Sequence, residues 1–129
     1  MRVLLDTNVL LWAFLTPARL GAEAWSLIQD EASEVVFSAA SIWKIAIKAR
    51  LRRADFTVRP EIIAQEARDI GFTELSINSD TAMRVADLPL HHGDPFDRLL
   101  IAQAIAGPMR FLTADPILQR YSDLVTLVG

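Results

Sequence analysis

The sequence predicts an α/β fold with a mostly parallel sheet of about five strands and helices on both faces of the sheet. Short apolar runs alternate with stretches whose apolar residues recur every three or four positions, a pattern typical of strands that alternate with helices. The 129 residues are 52% hydrophobic and 22% charged, with five glycines and six prolines. This composition excludes a disordered or low-complexity chain and predicts a single domain over residues 1–129.

Five apolar runs are predicted to form the strands. They lie at residues 3–5, 35–37, 75–77, 111–112 with their neighbours, and 124–128. Stretches with helical spacing lie between these runs, and the breaks between elements fall at Gly21, Gly71, residues 89–95 and Gly107-Pro108. In such a sheet, ligands bind beyond the carboxyl ends of the strands, so this edge is where we expect the chemistry.

The N-terminal region decides the expected location of the protein. The longest uninterrupted apolar run, residues 9–15, is shorter than the roughly 20 residues that cross a membrane. Arg2 and the apolar residues after it imitate a signal peptide, but Asp6 interrupts the apolar part and argues against export. The absence of cysteine excludes a disulfide framework and thiolate metal sites. We therefore expect a soluble cytoplasmic protein with no membrane partner.

The charge balance does not indicate nucleic-acid binding, because 16 acidic and 13 basic residues give a net charge of −3. The basic residues are nevertheless concentrated in one part of the chain. This cluster contains Lys44, Lys48, Arg50, Arg52, Arg53 and Arg59, opposed by Asp55. Such a cluster can contact phosphates, or it can suit the negative end of a helix dipole. The sequence favours neither interpretation.

Three aspartates are predicted at the carboxyl edge of the sheet. Asp6 follows the first strand, and Asp115 follows the fourth. Asp97 is placed third in a helix that begins at Pro95, and this crossover helix starts at the same edge. Each position also has a local explanation as a helix-capping or loop residue: Asn8 could cap the helix after Asp6, Asp94 is the expected cap before Pro95, and Asp115 precedes Pro116.

Three converging carboxylates repel one another unless a cation neutralises them. Hard oxygen ligands of this kind select Mg²⁺ or Mn²⁺. Pairs of such ions promote in-line displacement at phosphorus. The pattern therefore indicates metal-dependent phosphodiester chemistry.

Four segments carry distinctive motifs: residues 2–12 (RVLLDTNVLLW), 37–43 (FSAASIW), 92–104 (HGDPFDRLLIAQA) and 112–115 (LTAD). Together they resemble the PIN domain of the VapC toxins of bacterial VapBC toxin–antitoxin pairs. The resemblance covers essentially the whole chain and implies a PIN-like three-layer sandwich that cuts RNA with Mg²⁺ or Mn²⁺. It also implies a VapB-type antitoxin as partner and a homodimer or larger toxin–antitoxin assembly.

By this resemblance, the metal ligands and catalytic acids are Asp6, Asp97 and Asp115. The family's second acid is a glutamate in a Trp-Glu-Ile stretch, which reads Trp43-Lys44-Ile45 in this sequence. We expect the Lys44 ammonium to neutralise part of the carboxylate charge and to weaken metal binding, above all for a second ion. The expected result is a weak or inactive ribonuclease.

The predicted helix at residues 41–52 also fits a glutamate better than Lys44. Lys44, Lys48 and Arg52 are spaced by four, and like charges at this spacing cost about 0.2–0.5 kcal/mol per pair. A glutamate at position 44 would instead precede Lys48 by four residues, which is the favourable order. Two explanations of Lys44 are equally compatible with this sequence. It is either a substitution made so that a toxin can be produced, or a natural feature of a degenerate homologue.

Other polar residues are candidates for supporting roles around the acids. Asn8, Asp94 and Thr113, with Thr7, can hydrogen-bond waters or ligand carboxylates, although local capping explains them as well. Arg98 is interpreted as part of a surface ion pair rather than as a phosphate contact. His91 and His92 are interpreted as solvated loop residues.

The large apolar residues are expected to lie in the core. They are Trp12, Trp25, Trp43, Phe14 and Leu15, of which the family resemblance makes Trp12 or Phe14 a candidate for a dimer or antitoxin interface. Two classes of function remain open. The first is a toxin ribonuclease, and the second is a non-catalytic PIN-fold module that dimerises and binds an antitoxin.

Overall fold

The computed structural model describes residues 1–51 and 56–129 and contains a five-stranded sheet in which every pair of neighbours is parallel. The strands are β1 (Arg2–Leu5), β2 (Glu34–Ser38), β3 (Thr73–Leu75), β4 (Arg110–Thr113) and β5 (Val125–Leu127). Their order is β3-β2-β1-β4-β5, so β1 is central and pairs with β2 and β4. The predicted fold class is confirmed.

The third strand lies two residues earlier than predicted. Thr73 and Glu74 are exposed, because β3 is an edge strand, and only Leu75 of the predicted run belongs to it. The apolar pattern therefore marked the end of this strand and not its start.

The described residues contain six α-helices, all of which precede β4, and a 3₁₀ turn joins β4 to β5. The helices are α1 (Thr7–Leu15), α2 (Ala22–Gln29), α3 (Ala39–Arg50), α4 (Pro60–Asp69), α5 (Ser79–Arg84) and α6 (Pro95–Ala106). The helix predicted at 41–52 begins at Ala39, because the Ser38 side chain caps it by accepting a hydrogen bond from the Ala40 N–H. Its predicted end at Arg52 lies outside the described residues. No helix in the described parts of the chain is long and apolar enough to span a bilayer.

The sheet separates two apolar cores. Alternating strand residues point to opposite faces, so Val3 and Leu5 pack with α1, α2 and α4, whereas Leu4 packs with α6. Because each face of the sheet buries its apolar residues under helices, the molecule is the predicted three-layer sandwich. The carboxyl ends of β1 and β4 meet at one edge of this sandwich.

The expectation that all the large apolar residues form the core is wrong for two of them. Trp43 is 59% exposed and Leu15 is 51% exposed. Trp43 lies on the outer side of α3, whose buried side is formed by Ala40, Ser41 and Ile45, and it meets the ring of Phe96 edge-on. The other three, Trp12, Phe14 and Trp25, are partly buried and pack against the core that contains Val3 and Leu5.

Candidate active site

Asp6 is fixed at the end of the central strand. Its backbone N–H donates to the Leu112 carbonyl at 2.9 Å, which continues the pairing of β1 with β4. One carboxylate oxygen, Oδ1, accepts from the Thr7 N–H at 2.7 Å, and the other, Oδ2, accepts from the Thr113 hydroxyl at 2.6 Å. Asp6 is thus the N-cap of α1, and the interpretation of Asn8 as this cap is wrong.

The start of α6 follows the sequence prediction. Asp94 is the N-cap, with Oδ1 accepting from the N–H groups of Phe96 at 2.8 Å and Asp97 at 3.2 Å, and Pro95 takes the first helical position. Asp97 is the third helical residue and is buried. The capping role of Asp94 is confirmed, and it aligns the turn that presents Asp97.

Asp115 combines a local role with a place beside the other acids. Its Oδ1 accepts from the Ile117 N–H at 3.0 Å and caps the 3₁₀ turn Pro116–Arg120. Its own N–H donates to the Thr113 hydroxyl oxygen at 3.1 Å. Since the same hydroxyl donates to Asp6, Thr113 joins Asp6 to Asp115.

Lys44 reaches across from α3 to the start of α6. Its Nζ lies 2.9 Å from Asp94 Oδ2 and 3.8 Å from Asp97 Oδ1. Burial alone would lower the pKa of Lys44, but the hydrogen bond to Asp94 and the charges of Asp97, Asp94 and Asp6 outweigh it and raise this pKa. The side chain is therefore a stable ammonium among the carboxylates.

The pKa values of Asp97 and Asp6 show that neighbouring groups do not fully compensate the negative charges of these buried carboxylates. Burial raises the pKa of Asp97 to about 6, and repulsion from Asp6 adds to this effect against the attraction of Lys44 and His92. Burial also raises the pKa of Asp6, although its bonds to Thr113 and Thr7 oppose the shift. Perturbed carboxyls that share one cleft are typical of functional sites.

His92 is the site residue that the sequence analysis missed. It was interpreted as a solvated loop residue, but it is half-buried, with Nε2 2.8 Å from Asp115 Oδ2 and 3.5 Å from Asp97 Oδ2. His92, Asp97 and Asp115 offer atoms that all lie within 4.8 Å of one another. The sequence signal that could have identified it is the His-Gly-Asp spacing, which places His92 two residues before Asp94, the N-cap of α6. In the structure the Asp94 N–H donates to His92 Nδ1. His91 is exposed, as predicted.

The remaining candidates lie at different distances from this cluster. Asn8 is exposed, and within residues 1–51 and 56–129 its side chain has no hydrogen bond to the aspartates. The Thr7 hydroxyl donates to Ser41 Oγ at 2.9 Å, linking α1 to α3. Of the four polar candidates, Asp94, Thr113 and Thr7 therefore hydrogen-bond to at least one of Asp6, Asp97 and Asp115, whereas Asn8 has no such bond in the described residues.

Arg98 has a structural role that differs from the predicted surface ion pair. Its guanidinium donates to the carbonyls of Pro89, Val85 and Leu88 and to the Tyr121 hydroxyl. Backbone carbonyl groups outside regular helices and strands need other hydrogen-bond donors. The Arg98 guanidinium provides such donors for three of these carbonyls. The prediction was wrong because these acceptors lie up to 23 residues away in the sequence.

The basic cluster is divided among separate partners. Lys44 bonds to Asp94, Lys48 lies over the ring of Phe56, and Arg59 pairs with Glu61 at 2.6 Å. The predicted members Arg52 and Arg53, with the opposing Asp55, lie outside the described residues.

Comparisons with known proteins agree with this geometry. The PIN domain family matches residues 3–124. The chain is 32% identical over 117 residues to Ribonuclease VapC22 of Mycobacterium tuberculosis (strain ATCC 25618 / H37Rv), covering 88% of this chain and 86% of that protein. Its fold is similar to that in the crystal structure of VapBC2 from Rickettsia felis bound to a DNA fragment from their promoter, with a TM-score of 0.72, 14% identity and complete coverage of both chains. The chain therefore belongs to the PIN-domain family and, within it, to the VapC group.

Proposed function

We propose that this chain is the toxin of a type II toxin–antitoxin pair and a metal-dependent endoribonuclease, weakened by Lys44. The observation that supports the proposal best is the placement of Asp6, Asp97 and Asp115 together at the carboxyl edge of β1 and β4. The similarity to Ribonuclease VapC22 supports RNA as the substrate class.

The donor set fits a divalent cation. Four aspartates (6, 94, 97 and 115) and one lysine leave this edge with more negative than positive charge, and burial holds the pKa of Asp97 at about 6. Carboxylate oxygens are hard ligands that suit Mg²⁺ or Mn²⁺. In this proposal Asp6, Asp97 and Asp115 hold the ion, and Asp94 and Thr113 orient them. Asn8, the third supporting candidate from the sequence, has no part in it.

The contacts of Asp6 and Asp97 determine how each of them would bind the ion. A bound divalent ion supplies charge neutralisation at the scissile phosphate and makes water more acidic. Asp6 offers oxygens whose direction is fixed by Thr7 and Thr113. The Asp97 side chain is 11% exposed. A metal ion bound to it would be partly removed from water, and the attraction between opposite charges is stronger there than in water.

Lys44 opposes cation binding in two ways. Its ammonium lies near Asp97 and bonds directly to Asp94, so it competes for the charge that would attract a metal ion. Relative to the family's glutamate, a lysine also changes the local charge by two units. We propose that this lowers metal affinity, most strongly for a second ion, and leaves weak or no ribonuclease activity.

The proposal includes a VapB-type antitoxin and self-association. The similar VapBC2 structure supports a partner of this kind for a chain with this fold. Trp12 and Phe14, the interface candidates from the sequence, are half-buried, and the apolar side chains with the largest exposure lie elsewhere. Examples are Trp43, Leu51, Ile70, Met83 and Leu90. Exposed apolar surface of this kind suits association with another chain.

A second function is favoured by the position of Lys44. An ammonium that reaches from α3 to Asp94 at the start of α6 would suit a non-catalytic PIN-fold module that dimerises and binds an antitoxin. Such a module would bind its partner through the same fold without cutting RNA. The two functions differ in the response to restoring a glutamate at position 44.

The test compares RNA cleavage by the chain and by its Lys44→Glu variant, with Mg²⁺, with Mn²⁺ and with EDTA. Lys44→Glu with Asp6→Asn is the inactive control. Lys48→Glu is the matched charge control, because Lys48 lies one turn further along α3 and contacts Phe56 instead of the acids. We expect cleavage by Lys44→Glu alone, lost with EDTA and with Asp6→Asn.

The outcomes separate the proposals. Equal cleavage by the unchanged chain would show that three aspartates suffice and that Lys44 is not inhibitory. Cleavage by no variant, together with antitoxin binding, would favour the binding module. Calorimetric titration with Mn²⁺ provides a second measurement, and equal affinity of the unchanged chain and Lys44→Glu would contradict the role given to Lys44.

A further inference from the structure

The hydrogen bonds of His92 determine which ring nitrogen has the proton. The Asp94 backbone N–H donates to His92 Nδ1 at 3.0 Å. A backbone N–H can only donate, so Nδ1 must be the unprotonated acceptor, and the neutral ring then has its proton on Nε2.

This tautomer makes Nε2 a donor toward the acids. Nε2 lies 2.8 Å from Asp115 Oδ2, which is a hydrogen-bond distance, and 3.5 Å from Asp97 Oδ2. If Nε2 were instead a metal ligand, the proton would move to Nδ1 and face the Asp94 N–H, with two donors opposed. The geometry therefore favours hydrogen bonding over metal ligation for His92.

The backbone around His92 is held by contacts from elsewhere in the fold. The Tyr121 hydroxyl accepts from the N–H groups of His91 at 3.1 Å and His92 at 2.9 Å. Arg98 donates to the same hydroxyl at 3.2 Å and to the Pro89 carbonyl at 2.9 Å. The imidazole thus projects from a fixed loop, and its Nε2–H has a defined direction.

We propose that His92 is a positioning residue, which donates from Nε2 to Asp115 and holds this carboxylate in the orientation that binds metal. This inference rests on the proposed metal site. It assigns His92 to the support of a ligand and not to the ligand set, although it lies within reach of both acids. Hydrogen-bond partners of metal-binding side chains commonly alter metal affinity by about 10- to 100-fold.

Two substitutions separate the two nitrogens of the ring. The amide nitrogen of His92→Gln reaches the position of Nε2 and keeps a donor for Asp115. The amide oxygen of His92→Asn reaches the position of Nδ1 and keeps the acceptor for the Asp94 N–H. His91→Asn is the control, because the His91 side chain is exposed and stacks edge-on against Tyr121.

The affinity for Mn²⁺ is measured by calorimetry with each substitution in the Lys44→Glu chain. We expect His92→Asn to bind Mn²⁺ at least about 10-fold more weakly than this parent, and His92→Gln and His91→Asn to remain close to it. A purely structural role in the loop predicts the reverse order, with Asn tolerated and Gln harmful. Parental affinity in His92→Asn would overturn the proposal.

A second measurement needs no metal. The ¹⁵N shifts of the His92 ring in the unchanged chain, recorded with EDTA at about pH 8, above the reference pKa of histidine side chains, report the protonated nitrogen. A proton on Nε2 supports the proposal, and a proton on Nδ1 overturns it. If the Lys44→Glu parent binds no Mn²⁺, the proposed metal site fails, while this measurement still decides whether His92 donates to Asp115.

Discussion

Asp6 and Asp97 are buried at the same edge of the sheet, but the protein compensates their charges by different means. Asp6 accepts from a backbone N–H and from the Thr113 hydroxyl, both neutral donors at the ends of β1 and β4. Asp97 faces the side chains of Lys44 and His92. The first half of the site is therefore fixed by the sheet itself. The second half depends on individual side chains, so a single substitution there can change activity without changing the fold.

The largest expected effect concerns Lys44→Glu in the absence of metal. This change removes the bond to Asp94 and places another carboxylate beside Asp94 and Asp97, so we expect a loss of about 3–4 kcal/mol in the free energy of unfolding. Urea unfolding in EDTA measures the loss, and Mn²⁺ should recover part of it. Lys48→Glu should change stability by less than about 0.5 kcal/mol. Equal losses for the two variants would place the cost in the helix and not in the acidic site.

The second prediction is a gain of stability in Asp97→Asn. The pKa of Asp97 is raised from 3.8 to about 6, so its charged form is disfavoured in the folded protein, and a neutral isostere should add about 2–3 kcal/mol at pH 7 in EDTA. Residues at functional sites commonly reduce stability in this way.

The pH dependence of this gain follows from the sign of the shift. The protonated carboxyl of Asp97 stabilises the fold below about pH 4, and this contribution is lost as the pH rises through about 6. The two proteins should therefore unfold at similar urea concentrations at pH 4 and diverge up to pH 6. A gain that is independent of pH would contradict the electrostatic explanation.

A smaller effect is expected on the half of the site that the sheet fixes. Thr113→Val keeps the shape of the side chain but removes the hydroxyl that donates to Asp6 and accepts from Asp115, and we expect a loss of about 1–2 kcal/mol. Thermal unfolding compares it with Thr126→Val on β5, where the hydroxyl accepts from Arg110 at 3.3 Å and lies away from the acids. If neither substitution changed the melting temperature, the uncharged Thr113 hydroxyl would not be needed to stabilise the buried Asp6 carboxylate.

Local rules predicted much of this arrangement. A proline directly after Asp94 and after Asp115 marks each as a cap, and the end of an apolar run places Asp6 at the edge of the sheet. Because all the strands are parallel, these local positions also fix which acids come together. The predicted site followed from such relations along the chain.

The contacts that were missed depend on the path of the chain in space. The role of His92 follows from the position of its backbone, which Tyr121 holds from 29 residues away. The Arg98 contacts likewise depend on how the loop before α6 turns back. Trp43 was assigned to the core because apolar character alone does not show which side of a helix lacks a covering layer. Local sequence patterns contain none of this information.

The bond between Asp6 and Thr113 joins residues 107 positions apart. During synthesis on a ribosome, Asp6 therefore emerges well before β4 and Asp115. Sheets that depend on such distant pairings form late in folding. A growing chain therefore contains Asp6 before the partner that orients it, and the order of synthesis itself delays assembly of the site until β4 and Asp115 have been made.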